Sequence, residues 1–363
     1  MFNNESAHRL IHLTLYIQTD TLKQEHTGLT MSHLPREIEH ILNLSNKNEQ
    51  VDLIELAHIQ HENHSLPLYA LNIGAKDPTL PCLVLTGSIH GVERIGSQII
   101  LAFIKSLMRR IQWDKELQRL LTRIQLIAIP VVNPWGVALK KRANHNGVDL
   151  MRNAPVNATN PAMQLYAGQT ISSKLPWFRG NPDNMEKELT HTSNYLLNVS
   201  RSASSTIVLD LHSGFGTKDR LWFPFAHHKK PPDNIEQYYL LYRLFRMSYP
   251  HYELYQFEPQ WHQYTTHGDF WDWQYLQHFE QSSHHFLPLT LELGSWLWVK
   301  KNPMQLLSFS QLFHPTKPHR IKRVQRRHST LLNYLMQVLD NRILETIDNK
   351  EQLTDKALKL WYP

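Results

Sequence analysis

The sequence predicts an α/β protein: a three-layer α/β/α sandwich with a central mixed, twisted sheet. Short apolar runs typical of buried strands alternate along the chain with segments whose apolar residues recur at helical spacing. A hydrophobic content of 41%, with 10 Trp, 14 Tyr and 13 Phe, is enough for a sizeable core. No internal repeat is found. Helices on both faces of one sheet would bury strands of this kind.

Each predicted element depends on a local signal. Ser32 as a cap candidate, followed by an early Pro, predicts a helix over residues 32–44. Apolar positions at helical spacing predict further helices over residues 93–110 and 234–247. Apolar runs bounded by turn residues predict strands over residues 51–56, 66–73, 81–86, 124–132, 206–212, 221–225 and 286–293.

Three connecting segments have their own character. Residues 133–136, Asn-Pro-Trp-Gly, are predicted to form a turn that closes the strand before them. Residues 153–182 are rich in Pro, Asn, Ser and Gly, which is typical of long irregular loops at active sites. Residues 320–328 carry the strongest cluster of positive charge and lead into apolar residues at helical spacing. This pattern predicts a surface helix with a basic end, and a solvated helix face explains it better than nucleic-acid binding.

Length and composition limit the domain organisation and the function classes. At 363 residues we expect one catalytic domain over residues 31–363, preceded by an N-terminal extension over residues 1–30. A net charge of +6 is modest over this length, so no nucleic-acid partner is expected. Cys82 is the only cysteine, which excludes an intrachain disulfide and a cysteine metal site. The first residues lack an export signal and no apolar window is long enough to span a bilayer, so we expect a cytoplasmic protein without a membrane partner.

The most informative motif consists of His90, Glu93 and His212, each of which follows a predicted buried strand. A catalytic zinc ion usually takes three nitrogen or oxygen ligands and leaves one position for water. Two ligands three residues apart and a third far along the chain suit an open site built on two strand ends. In a chain with 23 His, a lone His-x-x-Glu is more often a solvated pair, so the motif needs support from other segments.

Three segments provide that support. Residues 142–152 offer two Arg and an Asp in a Gly-containing loop, residues 258–273 offer Tyr264 ahead of an aromatic helix start, and residues 290–294 read Thr-Leu-Glu-Leu-Gly. With the motif above, these residues make the chain resemble a zinc carboxypeptidase, of bacterial type, over about residues 90–294. The resemblance implies a carboxypeptidase-like fold and one zinc ion per chain.

By this resemblance each residue takes a role. His90, Glu93 and His212 would bind the metal, with Glu292 as the general base for the attacking water. Asp149 would accept a hydrogen bond from the first zinc histidine. Arg142 would stabilise the oxyanion. Arg152 would pair with the substrate carboxylate, and Tyr264 would close over the substrate.

Two departures from the family pattern concern the substrate. Met151 stands where the family has an Asn before the carboxylate-binding Arg, and Val92 stands where an Arg is common. Near the expected specificity pocket, Trp271 suggests a narrow or filled pocket, and Asp269 suggests a preference for a cationic group. We therefore expect a zinc-dependent peptidase acting on a peptide substrate. A zinc-dependent deacylase or amidohydrolase of acyl-amino acids stays open as an alternative, as does an inactive zinc-binding module.

Overall fold

The computed structural model describes residues 34–161, 165–214, 216–302, 305 and 312–363. The proposed extension over residues 1–30 and the cap candidate Ser32 lie outside these residues. Ten helices are named here in chain order: α1 Arg36–Asn46, α2 Ile95–Arg110, α3 Lys115–Leu120, α4 Pro134–Leu139, α5 Lys187–Ser202, α6 Ile235–Ser248, α7 Phe270–Phe279, α8 Trp296–Val299, α9 Pro318–Asp340 and α10 Lys350–Trp361. Two short 3-10 helices cover Leu150–Arg152 and Gln260–His262.

Eight strands form one mixed sheet. They are β1 Val51–His61, β2 His64–Gly74, β3 Cys82–Gly87, β4 Gln125–Ile129, β5 Ser205–Gly214, β6 Asp219–Phe223, β7 Tyr255–Pro259 and β8 His285–Gly294. Their order in the sheet is β1-β2-β4-β3-β5-β8-β6-β7. The three neighbours β3, β5 and β8 run parallel, so their carboxyl ends meet at one edge of the sheet.

Helices cover both faces of this sheet, and the alternation of side chains along each strand explains why its centre is apolar throughout. Leu83 and Leu85 of β3 face a core formed with α2, α6, α9 and α10, whereas Cys82 and Val84 face a second core formed with α5 and α7. Every residue of β3 is buried as a result. The predicted three-layer α/β/α fold class is confirmed.

The structure corrects several predicted elements. The predicted turn at residues 133–136 is wrong, because Asn133 caps α4: its side chain accepts a hydrogen bond from the amide of Gly136 at 2.8 Å. Asn at the cap followed by Pro at the first helical position is a helix start. The basic segment lies within α9, and this helix is not a surface helix over its whole length, since one of its faces is buried from His328 onward. Strand β7 and helices α3, α5, α8 and α10 were not predicted.

Among the described residues no helix is both long and apolar enough to cross a membrane.

Candidate active site

The loop that leaves β3 carries the first two residues of the motif. The amide of Glu93 donates to the carbonyl of His90 at 3.0 Å, which closes a tight turn between them. Gly91 lies inside this turn, and a Cβ atom there would come within 1.9 Å of the backbone of Gly136. Only glycine fits so close an approach. The hydrogen bond across the turn, together with the close approach of Gly91 to Gly136, holds His90 and Glu93 together.

His212, near the carboxyl end of β5, completes the cluster. Nδ1 of His90 lies 2.9 Å from Oε1 of Glu93, and Nδ1 of His212 lies 3.0 Å from Oε2 of the same carboxylate. The candidate ligand atoms of the three side chains all lie within 4.8 Å of one another. All three residues are buried. The fold therefore brings together the residues of the sequence motif.

The opposite nitrogen of each imidazole faces a carboxylate. Nε2 of His90 lies 3.0 Å from Oδ1 of Asp149, and Nε2 of His212 lies 2.6 Å from Oδ2 of Asp210. A histidine whose Nε2 keeps its proton for a carboxylate presents Nδ1 as a ligand, an arrangement common at zinc sites. Two such imidazoles and one carboxylate are a donor set that zinc accepts. The residues present fit a single zinc ion.

The charges in the cluster stabilise one another. Burial alone would raise the pKa of Glu93, but the charges and hydrogen bonds of His90 and His212 bring that pKa below its usual range. Burial likewise opposes charging of His212, but Asp210 and then Glu93 hold the pKa of His212 well above its ordinary value. A concentration of negative charge around both imidazoles favours a cation at this position.

Asp149 connects the histidine cluster to two arginines. Its Oδ2 accepts from Nε of Arg142 at 3.1 Å and from Nη1 of Arg152 at 2.9 Å. Arg142 also donates through Nη1 to Oε1 of Glu93 at 3.1 Å. Although burial opposes it, Arg142 and Arg152 hold the pKa of Asp149 well below its usual range. This segment therefore forms one charged network with the cluster.

Glu292 lies beside the cluster on the neighbouring strand. It pairs with His212 in the register of β5 and β8. Burial and then the negative charge of Glu93 raise the pKa of Glu292 to about 8. A Cβ atom at Gly214 would lie 1.9 Å from Oε1 of Glu292, so glycine is required there to leave room for the carboxylate. A carboxyl group with a raised pKa beside a candidate metal site is suited to proton transfer.

Tyr264 lies in an aromatic group at the rim of the site. Its ring centroid is 5.1 Å from that of Tyr166 and 6.2 Å from that of Trp222, with both pairs edge to face. Burial and then Tyr166 raise the pKa of Tyr264, and the charges of Arg152, Glu292 and Arg142 also act on it. The phenol is thus neutral: its O–H can donate a hydrogen bond toward Glu292, and its oxygen can accept one from an arginine.

The residues that set this chain apart from the family pattern have structural roles here. Val92 and Met151 are buried in the two cores on opposite faces of the sheet. Asp269 is buried, and its Oδ1 accepts from the amides of Trp271 and Asp272, so it caps α7. The indole of Trp271 donates to Oδ2 of Asp210 at 2.8 Å. Both carboxylates therefore have partners inside the protein, which speaks against Asp269 as a partner for a cationic substrate group.

Sequence reasoning missed Asp210 and Tyr166. Tyr166 follows from no local pattern, since it lies in an irregular segment and meets Tyr264 and Arg152 only in the folded chain. Asp210 had a signal that could have been used. It is the one charged residue in the otherwise uncharged stretch before His212, and it stands two residues before that histidine. Residues two apart on a strand share a face.

Comparisons with known proteins agree with this geometry. The family model described as zinc carboxypeptidase matches residues 44–296. Carboxypeptidase SOL1 of Arabidopsis thaliana is 24% identical over 266 residues, which cover 67% of this chain and 46% of that protein. The chain spans less than half the length of this and the next curated relatives that it matches.

Solved structures share the fold. Carboxypeptidase A from Helicoverpa armigera superposes with a TM-score of 0.65 at 16% identity, covering 91% of this chain and 81% of the other. Thrombin activatable fibrinolysis inhibitor superposes with a TM-score of 0.61 at 19% identity, covering 84% of this chain and 74% of the other. At such identities the likeness establishes the fold alone.

Proposed function

The chain belongs to the zinc carboxypeptidase family, and from this premise we propose that it is a zinc-dependent peptidase of carboxypeptidase type, hydrolysing a peptide or amide bond near a chain end. One observation carries the proposal. The Nδ1 atoms of His90 and His212 converge on the two oxygens of Glu93, with Glu292 on the adjacent strand. We assign the metal to these three side chains, with one zinc ion per chain.

Zinc, when bound, supplies Lewis-acid chemistry that polarises a carbonyl and lowers the pKa of water toward neutrality. Glu292 acts as the general base: it takes a proton from the attacking water and passes it to the nitrogen of the leaving amine. In the metal-free protein burial and the charge of Glu93 raise the pKa of Glu292 to about 8, which makes its carboxylate a stronger base than an exposed one. A general base of this kind contributes roughly 10²–10⁴-fold to a rate.

The two arginines and the tyrosine bind and orient the substrate. Arg142, with a side chain 21% exposed, stabilises the negative charge that develops on the carbonyl oxygen. Arg152 donates to Asp149 through Nη1 and to the carbonyl of Tyr166 through Nε, so that Nη2 is left to bind a substrate carboxylate. Tyr264 closes over the substrate and donates a hydrogen bond to it.

The test is to measure bound zinc and hydrolysis on the purified protein. The substrates are a panel of peptides with free C-termini, the same peptides with amidated C-termini, and acyl-amino acids. Glu292→Gln should retain zinc and lose about 10²–10⁴-fold in kcat. Glu236→Gln is the control, because Glu236 is a buried glutamate on α6 outside the site.

Each outcome has a distinct meaning. A wild-type protein that binds no zinc would contradict the metal assignment. Equal cleavage by Glu292→Gln and wild type would remove Glu292 as the base. Cleavage of acyl-amino acids in place of peptides would support the deacylase alternative, and equal cleavage of free and amidated peptides would contradict the role of Arg152.

A further inference from the structure

Asp210 lies on β5 two residues before His212, and the two side chains share a face of the sheet. Oδ2 of Asp210 is 2.6 Å from Nε2 of His212, closer than Asp149 is to His90. A carboxylate at this distance keeps a proton on Nε2, so that Nδ1 is the nitrogen that faces Glu93, and it prevents rotation of the ring.

Two uncharged donors hold Asp210 in place. The hydroxyl of Thr86, its cross-strand partner on β3, donates to Oδ1 at 2.8 Å, and the indole of Trp271 on α7 donates to Oδ2 at 2.8 Å. All four side chains, including that of His212, are buried. Within the described part of the chain, no arginine or lysine hydrogen-bonds to Asp210.

This environment differs from that of Asp149, whose charge is shared with Arg142 and Arg152. A buried carboxylate without an arginine is costly unless another group takes up its charge. His212 is the group in contact that can do so. The full negative charge of Asp210 is therefore directed at one imidazole, which makes its Nδ1 more basic and a stronger ligand for a cation.

We propose that Asp210 is a positioning residue for zinc binding. Its carboxylate fixes the tautomer and direction of His212, and Thr86 and Trp271 anchor that carboxylate to β3 and to α7. The inference rests on the proposed zinc site and extends it: Trp271, which the sequence suggests would narrow or fill a substrate pocket, here supports the metal site through its indole N–H.

Asp210→Asn tests the charge with little change of shape. The amide oxygen can still accept from His212 and from Trp271, and the amide nitrogen can donate to the hydroxyl of Thr86, which is able to act as an acceptor. Asp272→Asn is the matched control, since Asp272 is also buried and accepts from backbone amides and from His227, outside the zinc cluster. Zn²⁺ affinity is measured by competition with a chromophoric chelator, together with the melting temperature of the metal-free protein.

We expect Asp210→Asn to bind Zn²⁺ about 10–100-fold more weakly than wild type. Its metal-free melting temperature should match that of Asp272→Asn, since each variant loses one buried contact between a carboxylate and a histidine, and Asp272→Asn should keep wild-type zinc affinity. Unchanged affinity in Asp210→Asn would overturn the proposal. A loss of affinity that follows a fall in metal-free melting temperature equally in both variants would also overturn it, because the role would then be structural. A wild-type protein without zinc would overturn the proposed function itself.

If Asp210→Asn does not fold, Trp271→Phe carries the test, because it removes only one donor to Asp210 and leaves an aromatic ring in place. Its control is Trp135→Phe, since the buried indole of Trp135 donates to the carbonyl of Ile59. A severalfold loss of zinc affinity in Trp271→Phe alone supports the proposal. Wild-type affinity in that variant overturns the part assigned to Trp271 and with it the anchoring of Asp210.

Discussion

The two histidines of the site are held in different ways. His90 is hydrogen-bonded to Asp149, which is part of a loop and shares its charge with two arginines proposed to contact substrate. His212 is hydrogen-bonded to Asp210, which is part of a central strand and accepts hydrogen bonds from uncharged donors on a second strand and a helix. The candidate metal site therefore has two halves. His90 with Asp149 forms the substrate-linked half, and His212 with Asp210 forms the scaffold half. Changes in the first half should affect metal and substrate together, whereas changes in the second should affect metal alone.

The largest expected effect comes from displacing the carboxylate of Glu292, the proposed base, while both histidine ligands stay in place. In Gly214→Ala the new methyl group would occupy the position of Oε1 of Glu292, which must then move. We expect kcat to fall by roughly 10²–10⁴-fold, as for loss of a general base, while zinc affinity stays at the wild-type value.

Gly216→Ala is the control, because the nearest atoms to its added methyl group, Nη1 of Arg220 and the carbonyl oxygen of Lys218, both lie at 3.2 Å, and Glu292 is not among them. Steady-state kinetics and chelator competition on both variants make the measurement. A Gly214→Ala enzyme that loses zinc in proportion to activity would contradict the separation of base and ligands.

Asp149→Asn sharpens the contrast with Asp210→Asn. It removes a carboxylate from two buried or half-buried arginines and from His90. Breaking a buried ion pair from one side costs about 3–5 kcal/mol, so the metal-free protein should lose stability of that order. Zinc affinity should fall by about 10–100-fold, and KM should rise because Arg142 and Arg152 lose their common anchor.

Denaturant unfolding of the metal-free protein, zinc competition and KM together make the comparison. Asp210→Asn should change the zinc affinity, leave KM near wild type and lower the metal-free stability less than Asp149→Asn does, because Asp210 has one charged partner and Asp149 has three. The idea of two halves fails if the two variants change all three quantities alike.

The smallest expected effect concerns the pH dependence of stability and a buried histidine, His278, that has no carboxylate as a hydrogen-bond partner. His278 meets the hydroxyl of Ser200 and the carbonyl of His284, and burial lowers the pKa of His278 from 6.5 to about 4. The unfolded chain therefore binds more protons than the folded one between these values. Stability from this residue is present above pH 6.5 and is lost as the pH falls toward 4.

His278→Gln should flatten this part of the dependence of the unfolding free energy on pH. The measurement is denaturant unfolding of metal-free protein at several pH values between 4.5 and 7.5. An unchanged slope in the variant would show that other groups set the acid sensitivity. His212 differs because its buried imidazole has a negative partner, Asp210, which raises its pKa, whereas His278 has no such partner and burial lowers its pKa.

Much of the fold was readable because it follows local periodicity. The continuous apolar run that became β3 and the helical stripe that became α2 are buried as their patterns indicate. Elements without such a pattern escaped prediction. β7, at the edge of the sheet, has only two buried residues, at its end. At the start of α4, Asn-Pro and Gly suit a turn as well as a helix, and the contact of Asn133 with Gly136 selects the helix.

The sequence by itself determined the pairing of His90 with Glu93, because backbone geometry over three residues brings them together, and it placed His212 and Glu292 near strand ends. Only the tertiary structure decided which partner each imidazole has. The register of β3 with β5 sets Thr86 beside Asp210, and the packing of α7 brings in Trp271, 61 residues from Asp210. Strand register and helix packing depend on the whole core. No local spacing could therefore reveal that the carboxylate partner of His90 lies in a loop and is shared with two arginines, whereas that of His212 lies in the sheet and is held by uncharged donors.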